Sequence, residues 1–195
     1  RIKNVLLGAA CVVAIALLVR SHRGVDEAQA STIGFALTAD SRRLSDELGE
    51  ARGELELTRN QLDRANKIIA YSGKYRIGAD LASSIYDVAM AEGIEPDLGF
   101  RLVRAESEFN ERATSPVGAV GLTQVMPSTA KYFVSGTVTR RRLYDRALNL
   151  HVGFRYLRGL ISEYKSLRLA LLVYNRGPVA VAAALRRGDD PANGY

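Results

Sequence analysis

Pro96-Asp97-Leu98-Gly99-Phe100-Arg101-Leu102-Val103-Arg104-Ala105-Glu106-Ser107-Glu108-Phe109 is the stretch from which the rest of the chain can be read. Gly93-Ile94-Glu95 leads into it. Pro96 suits the first turn of a helix, and Asp97 complements the positive end of the helix dipole. Leu98, Leu102, Ala105 and Phe109 recur at helical spacing and mark one apolar face. Glu106 follows Leu102 by four residues and Val103 by three, so it borders that face. Glu108 falls with Arg101 and Arg104 on the wet side. Glu106 is therefore the carboxylate expected to be partly desolvated. Desolvation disfavours the charged form, and a carboxyl with a raised pKa can serve as a general acid near neutral pH. A helical glutamate at an apolar edge is more often a salt-bridged residue, so its meaning depends on the segments downstream.

Asn110 to Gly121 reads as a polar loop with Ser115-Pro116 and two glycines, Gly118 and Gly121. Such glycines permit sharp turns or close approach to a ligand. Leu122-Thr123-Gln124-Val125-Met126-Pro127 sets an amide that both donates and accepts beside a soft thioether. Sugars require that mixture: directional bonds for hydroxyl and amide groups, and apolar surface for the ring. Pro127-Ser128-Thr129 then begins a helix. Leu167 to Val173 is an apolar run, broken only by Arg168, ending in Tyr174-Asn175, read as a turn. Tyr174 can stack or hydrogen-bond; Asn175 can cap a helix or hold a ligand. Each of these residues alone is more often structural. One carboxyl on a helix, a Gln-Met segment and a Tyr-Asn pair together describe a glycan-cleaving site.

In their order and spacing three motifs resemble the soluble lytic transglycosylase domain of bacteria and their phages. They are Glu106-Ser107; the run Ser115-Pro116 to Met126-Pro127 with Gly118-Ala119, Gly121-Leu122 and Gln124 inside it; and Ala170-Leu171-Leu172 followed by Tyr174-Asn175 and Gly177-Pro178. Leu143, Asp145, Asn149, Gly153, Tyr156 and Leu157 match the intervening helices, and the resemblance covers residues 78–195. It implies an all-α, lysozyme-like domain acting on peptidoglycan glycan strands. It further implies that Glu106 protonates the glycosidic oxygen between N-acetylmuramic acid and N-acetylglucosamine, while the substrate's acetamido carbonyl stabilises the oxocarbenium-like centre. Glu106 would then take the proton of the 6-hydroxyl as a 1,6-anhydro ring closes without water. Ser107 or Ser115 would orient the acetamido group, and Gln124, Met126, Tyr174 and Asn175 would line the groove. Neither metal nor cofactor is expected. The carboxylate count agrees, because a lysozyme-type hydrolase commonly uses two acids. Here the nearest second candidate, Asp145, reads better as a helix cap. The chain departs from the family at Arg146, where Pro is usual, and at Val179, where Gly is usual. Those two departures are expected to alter loop shape. The family's last helix would lie beyond Tyr195, and its lack would expose core.

Towards the N-terminus, residues 5–19 form an uncharged apolar run between Arg1, Lys3 and Arg20, Arg23. It can just span a thin bilayer with snorkelling flanks, and a membrane anchor is expected. A cleaved signal ending at Ala28-Gln29-Ala30, or a buried core helix, are the alternatives. Cys11 reads as a small apolar residue. Residues 38–70 read as a helix in which Leu48, Leu55, Leu62 and Ile69 recur every seven residues, with Leu44, Ala51, Thr58 and Ala65 four before each. Glu47 and Glu54 fall at g, Arg52 and Arg59 at e, which suits a parallel homodimer through residues 44–69. Against it stand Gly49 and Gly53, and a helix packed on its own catalytic domain is the alternative. Gly73 is expected to stop this helix, and residues 77–92 to form another ending at Gly93. The organisation is thus an anchor or signal over 1–23, a linker and coiled-coil-like stalk over 24–75, and a catalytic domain over 76–195. The chain begins with Arg1 and stops at Tyr195 just after a turn, so 195 residues is read as a lower bound on length.

Composition limits the alternatives. A single cysteine excludes an internal disulfide, and two His with no Cys/His cluster speak against structural zinc. The net charge of +6 is uneven: residues 101–195 carry 15 Lys/Arg against 7 Asp/Glu, or +8, while residues 71–100 carry 2 against 5, or −3. A basic C-terminal half suggests an anionic polymer as partner. Nucleic acid is not expected, since Arg140-Arg141-Arg142 is short and lacks interleaved aromatics. The expected location is the bacterial inner membrane facing the periplasm, or a virion that delivers the protein to the host envelope. A non-catalytic envelope-docking or assembly protein is the rival from another class.

Overall fold

The computed structural model describes residues 2–192, and side chains from Arg20 onward except at residues 22–25, 28 and 30. The apolar run at 5–19, and with it the expected membrane segment, lies outside the described side chains. Among the described residues no helix is long and apolar enough to cross a membrane. The helices are α1 (Ile2–Tyr75), α2 (Ala79–Ala91), α3 (Pro96–Ser107), α4 (Pro127–Ala130), α5 (Arg146–Tyr164), α6 (Leu167–Arg176) and α7 (Pro178–Arg187), with a 3-10 turn at Arg142–Tyr144 before α5. No strand occurs among the described residues, so the expected all-α class holds. The only β pairing there consists of isolated bridges from Val120 to Thr114 and Val125.

The chain divides into two compact units, Arg1–Asp63 and Arg64–Tyr195. In the first, residues 31–63 of α1 are exposed throughout, the heptad residues Leu44, Leu48, Leu55 and Leu62 included. Gly49 and Gly53 stay helical there.

The second unit begins inside α1. Ile68 is buried, and Tyr71 stacks on Phe100 with ring centres 4.1 Å apart. Tyr75 stacks on the same ring at 5.4 Å. Arg64 holds Asp87 through two guanidinium nitrogens, and Lys74 holds Asp97 at 2.8 Å. The compact unit thus takes in residues 64–75, which the heptad spacing assigns to the stalk. Their inward face is Ile68-Tyr71-Tyr75, one residue out of phase with the heptad position Ile69, which is exposed. Gly73 does not stop the helix. α1 continues to Tyr75, and Arg76 takes the left-handed conformation at φ 55°. Ile77 N–H closes the end on Ser72 O at 3.1 Å, and the Ser72 hydroxyl donates to Ile77 O at 2.7 Å.

Local signals explain the remaining boundaries. Glu95 caps α3 by accepting from Leu98 N–H at 2.9 Å, with Pro96 in the first turn. Asp145 caps α5 through Leu148 N–H at 2.8 Å, and Ser166 caps α6 through Leu169 N–H at 3.3 Å. The cap expected at Asp145 is therefore present. Leu81, Ile85, Val88 and Ala89 form the buried stripe of α2. α5 is the central helix. Leu150, Phe154, Leu157 and Leu160 face the main core with α2, α3 and α6. Val152 faces a smaller core of Val120, Val125, Ala130, Val138 and Leu143. Val120 and Val125 anchor the loop after α3 in that smaller core, while Leu122 enters the main one.

Candidate active site

α3 carries Glu106 in its last turn. The buried face of α3 is Gly99, Phe100, Leu102, Val103 and Ser107, whereas Ala105 is exposed and Leu98 and Phe109 are half-buried. The apolar stripe is therefore turned relative to the expected Leu98-Leu102-Ala105-Phe109, because Phe100 is drawn in against Tyr71 and Tyr75. Gly99 lets α3 lie close to Phe154 of α5: a Cβ there would lie 3.1 Å from that ring. Glu106 remains at the edge of the buried face, half-buried, and Glu108 is exposed. Glu108 and Phe109 both take left-handed conformations, at φ 50° and 66°, and turn the chain away from the helix.

The segment Val120–Val125 is held by bonds from three helices. From α5, Asn149 Oδ1 accepts Thr123 N–H at 2.9 Å. Its Nδ2 donates to Val120 O at 2.8 Å and to Leu143 O at 2.9 Å. The Thr123 hydroxyl, fully buried, sits 2.8 Å from Asn149 Oδ1 and 3.0 Å from Asn149 O. Two glycines are required for this closeness. A Cβ at Gly121, where φ is 78°, would fall 2.3 Å from Asn149 Nδ2. One at Gly153 would fall 2.3 Å from Thr123 Oγ1. From α3, the Ser107 hydroxyl donates to Leu122 O at 2.8 Å. From α6, the Tyr174 hydroxyl donates to Thr123 O at 2.8 Å. The end of the helix bearing Glu106 and the helix bearing Tyr174 thus meet at consecutive carbonyls, next to Gln124.

Gln124, Met126, Tyr174 and Asn175 line one recess of about 260 Å³, together with Tyr156 and Arg176. Gln124 sits at φ 46° and donates from Nε2 to Gly121 O at 2.9 Å. Its other N–H and its carbonyl oxygen are left for a ligand. Met126 precedes α4, and Tyr174 and Asn175 lie in the last turn of α6. The expected Tyr-Asn turn is therefore helical; the turn comes at Gly177, with φ 78°. Among the described residues no carboxylate lines this recess.

Three of the expected site residues lie outside that lining. Glu106 stands at the end of α3, beside the serine that grips Leu122. Ser107 is buried, and its hydroxyl serves the Leu122 and Val103 carbonyls, so it joins α3 to the loop. Ser115 Oγ accepts Ala119 N–H at 3.0 Å while Ser115 N–H donates to Ala119 O at 3.0 Å, which closes the 115–119 turn. Tyr156, matched above only as part of an intervening helix, is a wall of the groove. It tilts against Tyr174 at 5.2 Å and against Phe133 at 6.1 Å. Burial raises its phenol pKa, with smaller contributions from Tyr164 and Glu163. Its signal is its spacing: Asn149, Val152-Gly153 and Tyr156 succeed one another at three and four residues along α5, on the side that meets the loop. Arg146, where Pro is usual, donates to Glu111 Oε1 from Nε at 3.1 Å and to Asp80 Oδ2 from Nη1 at 2.9 Å. It ties the start of α5 to the loop after α3 and to α2.

The transglycosylase SLT domain family matches residues 83–193. A transglycosylase of Enterobacteria phage PRD1 is 42% identical over 84 residues, covering 43% of this chain and 30% of the relative. The soluble lytic murein transglycosylase of Escherichia coli K12 is 35% identical over 83 residues, covering 40% and 13%. A membrane-bound lytic murein transglycosylase C of Haemophilus influenzae is 34% identical over 122 residues, covering 55% and 34%. The chain spans about a third or less of the length of these relatives. The solved 70-kDa soluble lytic transglycosylase in complex with bulgecin A shares the fold, with a TM-score of 0.51 at 22% identity over 65% of this chain and 23% of that one.

Proposed function

The chain belongs to the transglycosylase SLT domain family, whose match spans more than half of it, and from that premise we propose that it is a peptidoglycan lytic transglycosylase. The observation that supports this reading is that α3, which ends in Glu106-Ser107, and α6 bond the consecutive carbonyls of Leu122 and Thr123, next to a groove lined by Gln124, Met126, Tyr174 and Asn175. Glu106 gives its proton to the glycosidic oxygen as the bond from N-acetylmuramic acid to N-acetylglucosamine breaks. The acetamido carbonyl of the muramoyl sugar supports the cationic centre. Glu106, now a carboxylate, takes the proton of the 6-hydroxyl, whose oxygen closes the 1,6-anhydro ring. Ser107 acts as a positioning residue through Leu122, Ser115 shapes the loop beside the acetamido group, and Tyr156 adds an aromatic wall. Glu106→Gln keeps size and hydrogen bonding but cannot cycle the proton. It should release muropeptides from purified sacculi at least about 100-fold more slowly. Full activity in that variant would contradict the assignment.

Attachment to a membrane through residues 5–19 is part of the reading, supported by the 15-residue apolar run and by a relative described as membrane-bound. Extraction of the full chain from membranes by salt alone, without detergent, would contradict it. The phage relative supports a second reading, in which the same chemistry opens a host wall during virion entry. Recovery of the chain from purified virions would favour that reading, and recovery only from uninfected cells would exclude it.

A further inference from the structure

A second recess, of about 760 Å³, lies beside the other flank of α3, where Lys74, Tyr75 and Arg76 at the end of α1 approach Arg101, Arg104 and Phe109. Its charge is one-sided. Four cations line it against one carboxylate, Glu108. Lys74 and Arg101 are already held by Asp97, at 2.8 and 2.7 Å. Arg76 and Arg104 form no ion pair among the described residues. Counting Asp97, two cations remain in excess. A guanidinium presents a planar fork that matches a carboxylate, so two such groups facing one recess select an anion. Tyr75 and Phe109, ring centres 5.2 Å apart, add an apolar surface. The backbone is fixed at a cost: Arg76, Glu108 and Phe109 are three of the five non-glycine residues with positive φ among the described residues, and such conformations persist where the surroundings hold them.

We infer that this recess binds the acidic peptide that branches from the glycan, through the peptide's carboxylates. The inference rests on the reading of the substrate as peptidoglycan. Ala105 lines the recess and directly precedes Glu106, so a strand held at the acid passes close by. A branch of four extended residues reaches about 13 Å, more than the ~10 Å diameter of a helix. The site thereby favours strands that still carry peptides over bare glycan.

The test is a double variant of the full chain, Arg76→Glu with Arg104→Glu. The free acidic stem peptide should bind the wild-type chain in a calorimetric titration and bind the variant about tenfold or more weakly. The same peptide with its carboxylates amidated should not bind. Cleavage of intact sacculi should slow by a similar factor, while cleavage of sacculi stripped of peptide by an amidase stays unchanged. An equal loss on both substrates, or no binding of the free peptide, would overturn the inference. Inorganic phosphate binding as tightly as the peptide would also overturn it, since the recess would then be a general anion site. If the wild-type chain cleaves neither substrate, the transglycosylase reading fails, and the titration still decides the recess.

Discussion

Asn149 carries much of the site's geometry without touching the groove. Its amide is fully used, accepting from Thr123 and donating to Val120 and Leu143, in a spot where it is 1% exposed. Asn149→Leu removes these partners and leaves buried carbonyls and an N–H unsatisfied, at about 1–3 kcal/mol each. The expected result is a loss of at least about 3 kcal/mol in denaturant unfolding together with loss of activity. A variant as stable as the parent would show that the loop holds itself. Gln124, Met126 and Tyr174, which line one recess, are legible in the sequence because their chemistry is uncommon in that order. The direction of Ser107 is not, since a serine hydroxyl serves a carbonyl or a ligand equally well. Here it bonds the Leu122 carbonyl, fifteen residues later.

α1 shows both the strength and the limit of periodicity. The leucines at 44, 48, 55 and 62 are exposed on a helix, as a coiled-coil seam requires before it is paired. We propose that they pair with a second copy in parallel. Sedimentation of the full chain should give a dimer, and Leu48→Asp with Leu55→Asp should give a monomer that unfolds at an unchanged temperature. A wild-type monomer at high concentration would contradict the pairing. Near its end the same helix changes allegiance. Ile69 continues the heptad, yet Ile68, Tyr71 and Tyr75 meet the core. Two apolar stripes one residue apart are both plausible in sequence, and Phe100, supplied by another helix, decides between them. Gly73 misleads for a related reason: a glycine inside a helix and a glycine ending one look alike until the closing bonds are known. Caps are legible where a side chain makes them, as at Asp145.

At the scale of the molecule, acid should loosen the fold. Glu92 is 3% exposed and receives bonds from Arg155 and His151, and the Arg155 bond holds its carboxyl below its ordinary value of 4.5. Asp87 is likewise lowered, chiefly by its bond from Arg64. A group depressed in the folded state is protonated more readily in the unfolded chain, so its contribution is complete above the ordinary carboxylate range and fades as pH falls below it. The unfolding temperature should therefore be flat near neutrality and fall below about pH 4.5. Glu92→Gln should be less stable at pH 7 and should lose less on acidification. An identical pH profile would contradict the role of this cluster. The wider architecture is legible because family motifs fall in fixed order along it; the edge of the compact unit at Arg64 is not, since it lies within a continuous helix. The central claim is that one carboxyl, Glu106, closes a ring on the substrate instead of delivering water. Digestion of sacculi in water enriched in oxygen-18 measures this directly. Muropeptides ending in 1,6-anhydro sugars with no heavy oxygen are the predicted products; reducing ends carrying one heavy oxygen would contradict the account.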